Sequence, residues 1–192
     1  MNDLDIPVIT IDGPSGAGKG TIAQMLAIEL SWNILDSGAL YRTLAYFMRE
    51  NKISLNNFKE KREEIEKRFQ VSFDPGIPGE PVKVIFEDKD ITSLVRTEEI
   101  AKLTSNLASE PMIRDFIKPR QRDFMQAPGL IADGRDMGTV IFSDAKHKIF
   151  LTASVEERAK RRQTQLKRQG LEVNMRSLLQ ELEERDRKDT ER

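Results

Sequence analysis

A chain of 192 residues with 38% hydrophobic content can bury one substantial core with a small inserted subdomain, and it reads as one folding unit over 1–192. Charged residues reach 33% while the formal net charge is −1, so an anion site has to come from local arginine clusters and a nucleic-acid partner is disfavoured. The absence of cysteine excludes disulfides and thiolate metal sites. With no signal peptide and no apolar run of spanning length, the expectation is a cytoplasmic protein without membrane contact.

The β-branched run Ile6 to Ile11, ending at Asp12, predicts a central strand buried on both faces of a parallel sheet. It feeds Gly13-Pro14-Ser15-Gly16-Ala17-Gly18-Lys19-Gly20-Thr21. Glycines at 13, 16 and 18 permit positive φ, so backbone N–H groups can wrap an anion. Lys19 reaches the terminal phosphates, and a helix starting near Lys19 points its positive end at the same spot. In place of the usual Ser or Thr after the lysine, Gly20 precedes Thr21. The helix is expected to turn Ile22, Met25, Leu26 and Leu30 inward, and Asn33 to Asp36 reads as the next strand.

Ser37 is expected to cap a helix with Leu40, Leu44, Phe47 and Met48 inward. Its start, with Asp36, Ser37, Gly38, Tyr41 and Arg42, faces the glycine-rich loop across the strand-end crevice. Arg42 is there either a phosphate ligand or a solvated arginine. Residues 56–69 read as a solvated helix of mixed charge. Phe69, Val71 and Phe73, then Val82, Val84 and Phe86, alternate with polar residues around a proline- and glycine-rich loop, which predicts a hairpin with one covered face. Residues 56–105 are read as an insertion able to close over a substrate.

Thr97 is expected to cap a helix with Ile100, Leu103 and Leu107 inward. Another opens at Pro111 with Ile113, Phe116, Ile117 and Phe124 inward, kinked or broken at Pro119. Leu130 to Asp133 is a buried strand leading into Gly134-Arg135-Asp136-Met137-Gly138-Thr139. Asp133 there either holds metal-bound water or caps the turn. Residues 148–153 give a fourth strand, preceded by a surface His147. The helix at 156–169 carries Arg158, Arg161 and Arg162 on one face with nothing acidic spaced to neutralise all three; it is either a lid that clamps a phosphoryl group or a solvated basic face. Finally, Leu178 and Leu182 begin a stripe that continues as Arg185, Asp189 and Arg192, entering a polar cleft or ending in a surface ion pair.

Three stretches in order, Ile11 to Thr21, Leu35 to Arg42 and Ile131 to Val140, resemble the bacterial cytidylate (CMP) kinases among the P-loop nucleoside monophosphate kinases; the Gly-Lys-Gly-Thr ending is typical of that class. The resemblance implies an α/β P-loop three-layer fold with a central parallel sheet, a monophosphate-binding insert with a small antiparallel sheet, and a short arginine-rich lid. It implies transfer of the γ-phosphoryl of ATP, with Mg2+, to CMP or dCMP by a monomer. By position, Gly13 to Thr21 would bind ATP. Ser105, Arg114 and Asp136 would contact cytosine, with Ser37 and Tyr41 nearby. Arg42, Arg135 and Arg192 would hold the acceptor phosphate, and Arg185 with Asp189 the sugar. Lys19 and the lid arginines would carry the transition-state charge, and Mg2+ would find Thr21, Ser15 or water held by Asp133. Family chains continue into another strand and helix where this sequence stops at Arg192. Kinases for UMP or AMP are the nearest alternatives. A GTP switch fits less, since no Asp-x-x-Gly occurs and Asn51-Lys52-Ile53-Ser54 lacks the aspartate that reads guanine.

Overall fold

The computed structural model describes residues 6–168 and 173–190, without the side chains of 165, 168 and 188–190. In chain order the elements are β1 (Val8–Asp12), α1 (Lys19–Leu30), β2 (Asn33–Asp36), α2 (Ser37–Glu50), α3 (Phe58–Arg68), β3 (Val71–Asp74), β4 (Lys83–Phe86), β5 (Lys89–Asp90), α4 (Thr92–Val95), α5 (Glu98–Leu107), α6 (Pro111–Arg122), β6 (Leu130–Gly134), a π-helical turn (Met137–Ile141), β7 (His147–Phe150), α7 (Val155–Arg168) and α8 (Met175–Thr190).

The main sheet has the order β2-β6-β1-β7 with every pairing parallel. The β-branched β1 is therefore an interior strand, as its composition predicts. Ile11 and Asp36 both stand opposite Asp133 in the register, so Asp12, Asp36 and Asp133 gather at the carboxyl ends, where an open α/β sheet receives its ligand. The fourth strand starts at His147 and ends at Phe150, earlier than expected.

A separate antiparallel sheet, β3-β4-β5, holds the expected hairpin, with Val71 opposite Phe86 and Phe73 opposite Val84. Its covered face joins the main core. Phe86 packs edge-on against Phe47 of α2 at 5.7 Å between ring centroids, and Phe116 of α6 lies 5.4 Å from Phe58 and 5.9 Å from Phe69. Offset and edge-on contacts of this kind add to the burial of each ring.

Four local expectations are corrected. Helix α1 turns Ala23, Gln24 and Ala27 inward while Ile22, Met25 and Leu30 are exposed; the helix lies close enough to β1 and β6 that alanines fill its inner face. The N-cap of α2 is Asp36, whose carboxylate accepts the Ala39 N–H at 2.8 Å, and Ser37 is the first helical residue. Helix α6 runs unbroken through Pro119, so the expected break is absent; the proline still forgoes the one N–H that would reach the Asp115 carbonyl, with the rest of the helix retained around it. On α5 the buried pair is Ile100 and Ala101, leaving Leu103 exposed, whereas Thr97 caps it as expected.

Phe116 is fully buried at the crossing of α6 with the aromatic cluster. Phe116→Ala is expected to destabilise the chain by about 3–5 kcal/mol in urea unfolding; a loss under about 1 kcal/mol would mean that the cluster collapses into the space.

Candidate active site

The loop after β1 turns on positive φ at Gly13, Gly16 and Gly18, as predicted. At Gly13 the requirement is also steric, since a Cβ there would stand 1.9 Å from the Leu151 carbonyl oxygen. Gly18 is the N-cap of α1 and offers no side-chain acceptor, so the first N–H groups of the helix are left for a ligand. Three guanidinium groups donate to alternate carbonyls around the loop. Arg135 Nη1 bonds Gly13 O at 2.6 Å, Arg158 Nη1 bonds Ser15 O at 3.2 Å, and Arg161 Nη1 bonds Ala17 O at 3.1 Å. In a trans peptide the N–H points opposite to the C=O. Arginines on the carbonyl sides of Ser15 and Ala17 therefore leave the Gly16 and Gly18 N–H groups directed the other way.

Lys19 is buried, its ammonium donating to Pro14 O at 3.1 Å and standing 3.7 Å from Asp133 Oδ1. Burial pulls the Lys19 pKa below its ordinary value and pushes the Asp133 carboxyl up to about 7, in each case against the attraction of the partner. Desolvation thus outweighs the pair's mutual attraction, as expected for charges removed from water without further compensation. Asp133 Oδ2 also faces Gly20, where a Cβ would lie 3.4 Å away.

Asp12 accepts the N–H groups of Met137 and Gly138 at 2.8 Å each, fixing the turn that carries Arg135 and Asp136. Arg114 reaches Asp136 at 2.8 Å, so these two predicted cytosine contacts meet. The third, Ser105, lies half-buried on α5. Ser37 is buried and its hydroxyl accepts from Gln121 Nε2 at 2.8 Å; Tyr41 is half-buried on α2. Arg42 donates to Val95 O at 3.2 Å, and burial lowers its pKa, with Asp36 opposing the shift and Arg96 and Arg185 adding to it. Asp36 is felt by both Lys19 and Arg42, so the loop and the second arginine cluster share one carboxylate.

Two of the three α7 arginines find acids on other helices, so the face is neutralised in part from outside its own helix, while Arg161 donates to the Ala17 carbonyl. Arg158 forms a two-pronged pair with Asp186 of α8, and Arg162 pairs with Glu98 of α5. Arg185 is half-buried and pairs with Glu181. The Asp189 side chain and Arg192 lie outside the described residues.

Arg96, Gln121 and Asp186 are partners of the expected site residues that the sequence reading did not name. Two carried a signal. Gln121 continues the apolar row of Ile113 and Ile117, and Asp186 continues that of Leu178 and Leu182, both at four-residue spacing; a polar residue on a buried row has a partner to meet. Arg96, which bonds Val82 O at 3.2 Å and lies 3.4 Å from Asp36, carried none.

For a magnesium ion the oxygen donors within reach of the loop are the half-buried Ser15 and Asp133 and the exposed Thr21. Among the described residues no three His, Cys, Asp or Glu side chains are grouped to hold a metal by themselves. One carboxylate with hydroxyls suits an ion that keeps its waters and takes phosphate oxygens as its other ligands. Desolvation disfavours the charged form of Asp133, a cost that a cation beside it would offset, so the donor set fits the ion.

The same shift gives stability a pH dependence. Below about pH 4 the Asp133 carboxyl is protonated in both states; as the pH rises, the unfolded chain releases that proton near 4 and the folded chain only near 7, so the wild type loses stability over this interval. Asp133→Asn is expected to match the wild type near pH 4 and to become increasingly more stable toward about pH 8, read from urea midpoints. A difference constant with pH would show that the carboxyl ionises normally.

The cytidylate kinase family matches the chain over residues 9–192. The cytidylate kinase of Stutzerimonas stutzeri is 51% identical over 187 residues, which are 97% of this chain and 81% of the relative. That of Pseudomonas putida is 50% identical over 192 residues, all of this chain and 83% of the relative. The Pseudomonas aeruginosa enzyme is 48% identical, with 97% and 81% covered. Among solved structures, TT1252 from Thermus thermophilus aligns with 91% of this chain and 77% of its own at 20% identity and a TM-score of 0.39, a likeness too loose to add to the sequence relationship. With a glycine-rich phosphate loop facing a second cationic cluster, and relatives matched over nearly the whole chain, this protein belongs to the cytidylate kinase family and catalyses the ATP-dependent phosphorylation of CMP and dCMP.

Proposed function

We propose that ATP seats its phosphates in the Gly13–Thr21 loop and that CMP lies across the strand ends from it, between Arg42, Arg135 and Arg185 on its phosphate and sugar side and Arg114, Asp136 and Ser105 on its base. The observation that carries this reading is the pairing of two cationic clusters around shared carboxylates: Lys19 and Arg135 at the loop, Arg42, Arg96 and Arg185 beyond it, with Asp36 felt by Lys19 and Arg42 alike. Two anionic ligands brought end to end need such an arrangement, with cations on both and the reacting oxygens between. Asp189 and Arg192 complete the acceptor side by resemblance.

In this reading Lys19 moves from Pro14 O and Asp133 onto the phosphates, and the loop amides and the α1 N-terminus hold the rest of the triphosphate. Residues 156–169 act as a lid whose Arg161 and Arg162 neutralise the transferring group, and residues 56–105 form the acceptor-binding insert. Thr21, Ser15 and water on Asp133 would hold magnesium, which when bound neutralises the β and γ phosphate oxygens. Ser37, fixed by Gln121, and Tyr41 line the base side. The enzyme works as a cytoplasmic monomer on free nucleotides; no helix among the described residues is long and apolar enough to cross a membrane.

Cytosine offers acceptors at O2 and N3 for Arg114 and an amino donor for Asp136, whereas uracil reverses the pattern at N3 and C4. Asp136→Asn is expected to lower kcat/KM for CMP by about 10- to 100-fold and to raise the UMP-to-CMP ratio, measured as ADP release with CMP, dCMP, UMP and AMP in turn. An unchanged ratio would remove Asp136 from base recognition. Lys19→Met is expected to lower kcat/KM for ATP by about 10²- to 10³-fold; no change would move the triphosphate out of the loop.

A further inference from the structure

Arg158 stands apart from its helix neighbours. Its side chain is 3% exposed against 32% for Arg162, and four of its five N–H donors are engaged. Nε bonds Ala153 O at 3.1 Å, Nη1 bonds both Ser15 O at 3.2 Å and Asp186 Oδ1 at 2.9 Å, and Nη2 bonds Asp186 Oδ2. One guanidinium thus joins the entry to α7, the phosphate loop and α8. The backbone follows, since a Cβ on Gly16 would lie 3.4 Å from Arg158 Cβ. A buried guanidinium held this way cannot swing to a substrate without breaking its bonds to Ala153 O, Ser15 O and Asp186 together.

Its contact with the loop has a specific consequence. The Ser15 carbonyl belongs to the peptide whose N–H is that of Gly16, and Gly16 sits at a φ of 78°. A peptide beside a glycine can flip at little steric cost, because glycine accepts both signs of φ. A flip would turn the Gly16 N–H away from the anion. A charged donor on the carbonyl side opposes this, and opposes it best when the donor is itself immobile.

We infer that Asp186 is a positioning residue for phosphoryl transfer: by fixing Arg158 against the Ser15 carbonyl, it holds the Ser15–Gly16 peptide in the orientation that receives the ATP phosphates. The control reaches the loop from α8. This assignment rests on ATP seating in the Gly13–Thr21 loop. It gives Arg158 a supporting part, distinct from the charge-neutralising part of Arg161 and Arg162.

The test is steady-state kinetics of Asp186→Asn, Asp186→Glu, Arg158→Ala and the double variant Asp186→Asn with Arg158→Ala, varying ATP and CMP separately and recording melting temperatures. Asp186→Asn is expected to raise KM for ATP about tenfold and to keep KM for CMP within about twofold of the wild type, with Asp186→Glu recovering part of the loss. The double variant should match Arg158→Ala alone, because the assigned route from Asp186 to the loop runs through that guanidinium. An unchanged KM for ATP with a lowered melting temperature would make the pair a mere staple between α7 and α8 and overturn the inference, as would a parallel rise in both KM values or effects that multiply in the double variant. Should Asp186→Asn fail to fold, Arg158→Lys carries the same test, since an ammonium cannot span Ser15 O and both carboxylate oxygens. If Lys19→Met also leaves ATP kinetics unchanged, the seating of ATP itself is wrong; if Lys19→Met responds and Asp186→Asn does not, only the role of Asp186 is lost.

Discussion

The carboxylate of Asp12 is the constraint on which the active end of this sheet depends. Its two oxygens accept the N–H groups of Met137 and Gly138, while its own carbonyl accepts the Leu151 N–H at 2.8 Å. One residue at the end of β1 therefore registers the phosphate loop, the turn bearing Arg135 and Asp136, and the chain entering α7. The carboxylate is buried, so its loss would strand two N–H groups away from water, which costs on the order of 1–3 kcal/mol each. Gly138 belongs to the same arrangement, because a Cβ there would meet Thr10 Oγ1 at 2.6 Å and Asp12 Oδ2 at 3.3 Å. The geometry of the turn thus follows from one acid and one missing side chain.

Around this fixed frame the charges are poorly compensated. Lys19 and Asp133 are each driven toward neutrality by burial despite facing one another, and Arg42 shifts in the same sense. A protein selected for stability alone would have little reason to desolvate such groups. Here they sit where two phosphate-bearing ligands with a divalent ion would supply the missing charge, and a site organised before its ligands arrive need not rearrange its dipoles during transfer. The burial that destabilises the free site is the same cost that the proposed charged ligands would offset.

The large pattern was legible in the sequence because it follows from short-range rules: a β-branched run, positive-φ glycines, an amphipathic α2, a hairpin with alternating faces. The resemblance supplied the site, and Arg114 with Asp136 do meet. Polar residues serving as partners to other polar residues were harder to read. Arg158 looked like one member of a cationic face, and only the packing of α8 on α7 shows its acid at Asp186. Arg96 gained its meaning from Asp36, sixty residues earlier in the chain. Gln24 donates to Pro75 O, Ile77 O and Glu80 O across the loop between β3 and β4, an association that no local spacing encodes.

Helix α1 shows why function can mislead a reading based on hydrophobicity. Its large apolar residues Ile22, Met25, Leu26 and Leu30 suggested the inward stripe, yet of these only Leu26 packs on the core, half-buried, and the buried face is Lys19, Ala23, Gln24 and Ala27. The N-terminus of this helix must stand close to the ends of β1 and β6 for Lys19 to reach Asp133 and for the first N–H groups to address an anion. That approach favours alanine where helix and sheet are closest, and Ala23 and Ala27 pack there with Ile11, Ile34 and Ile131. The requirement at one end of the helix therefore sets side-chain size along two further turns. Residue volume, which ranks burial in most amphipathic helices, ranks it wrongly when the distance between helix and sheet is fixed by the chemistry at the helix start.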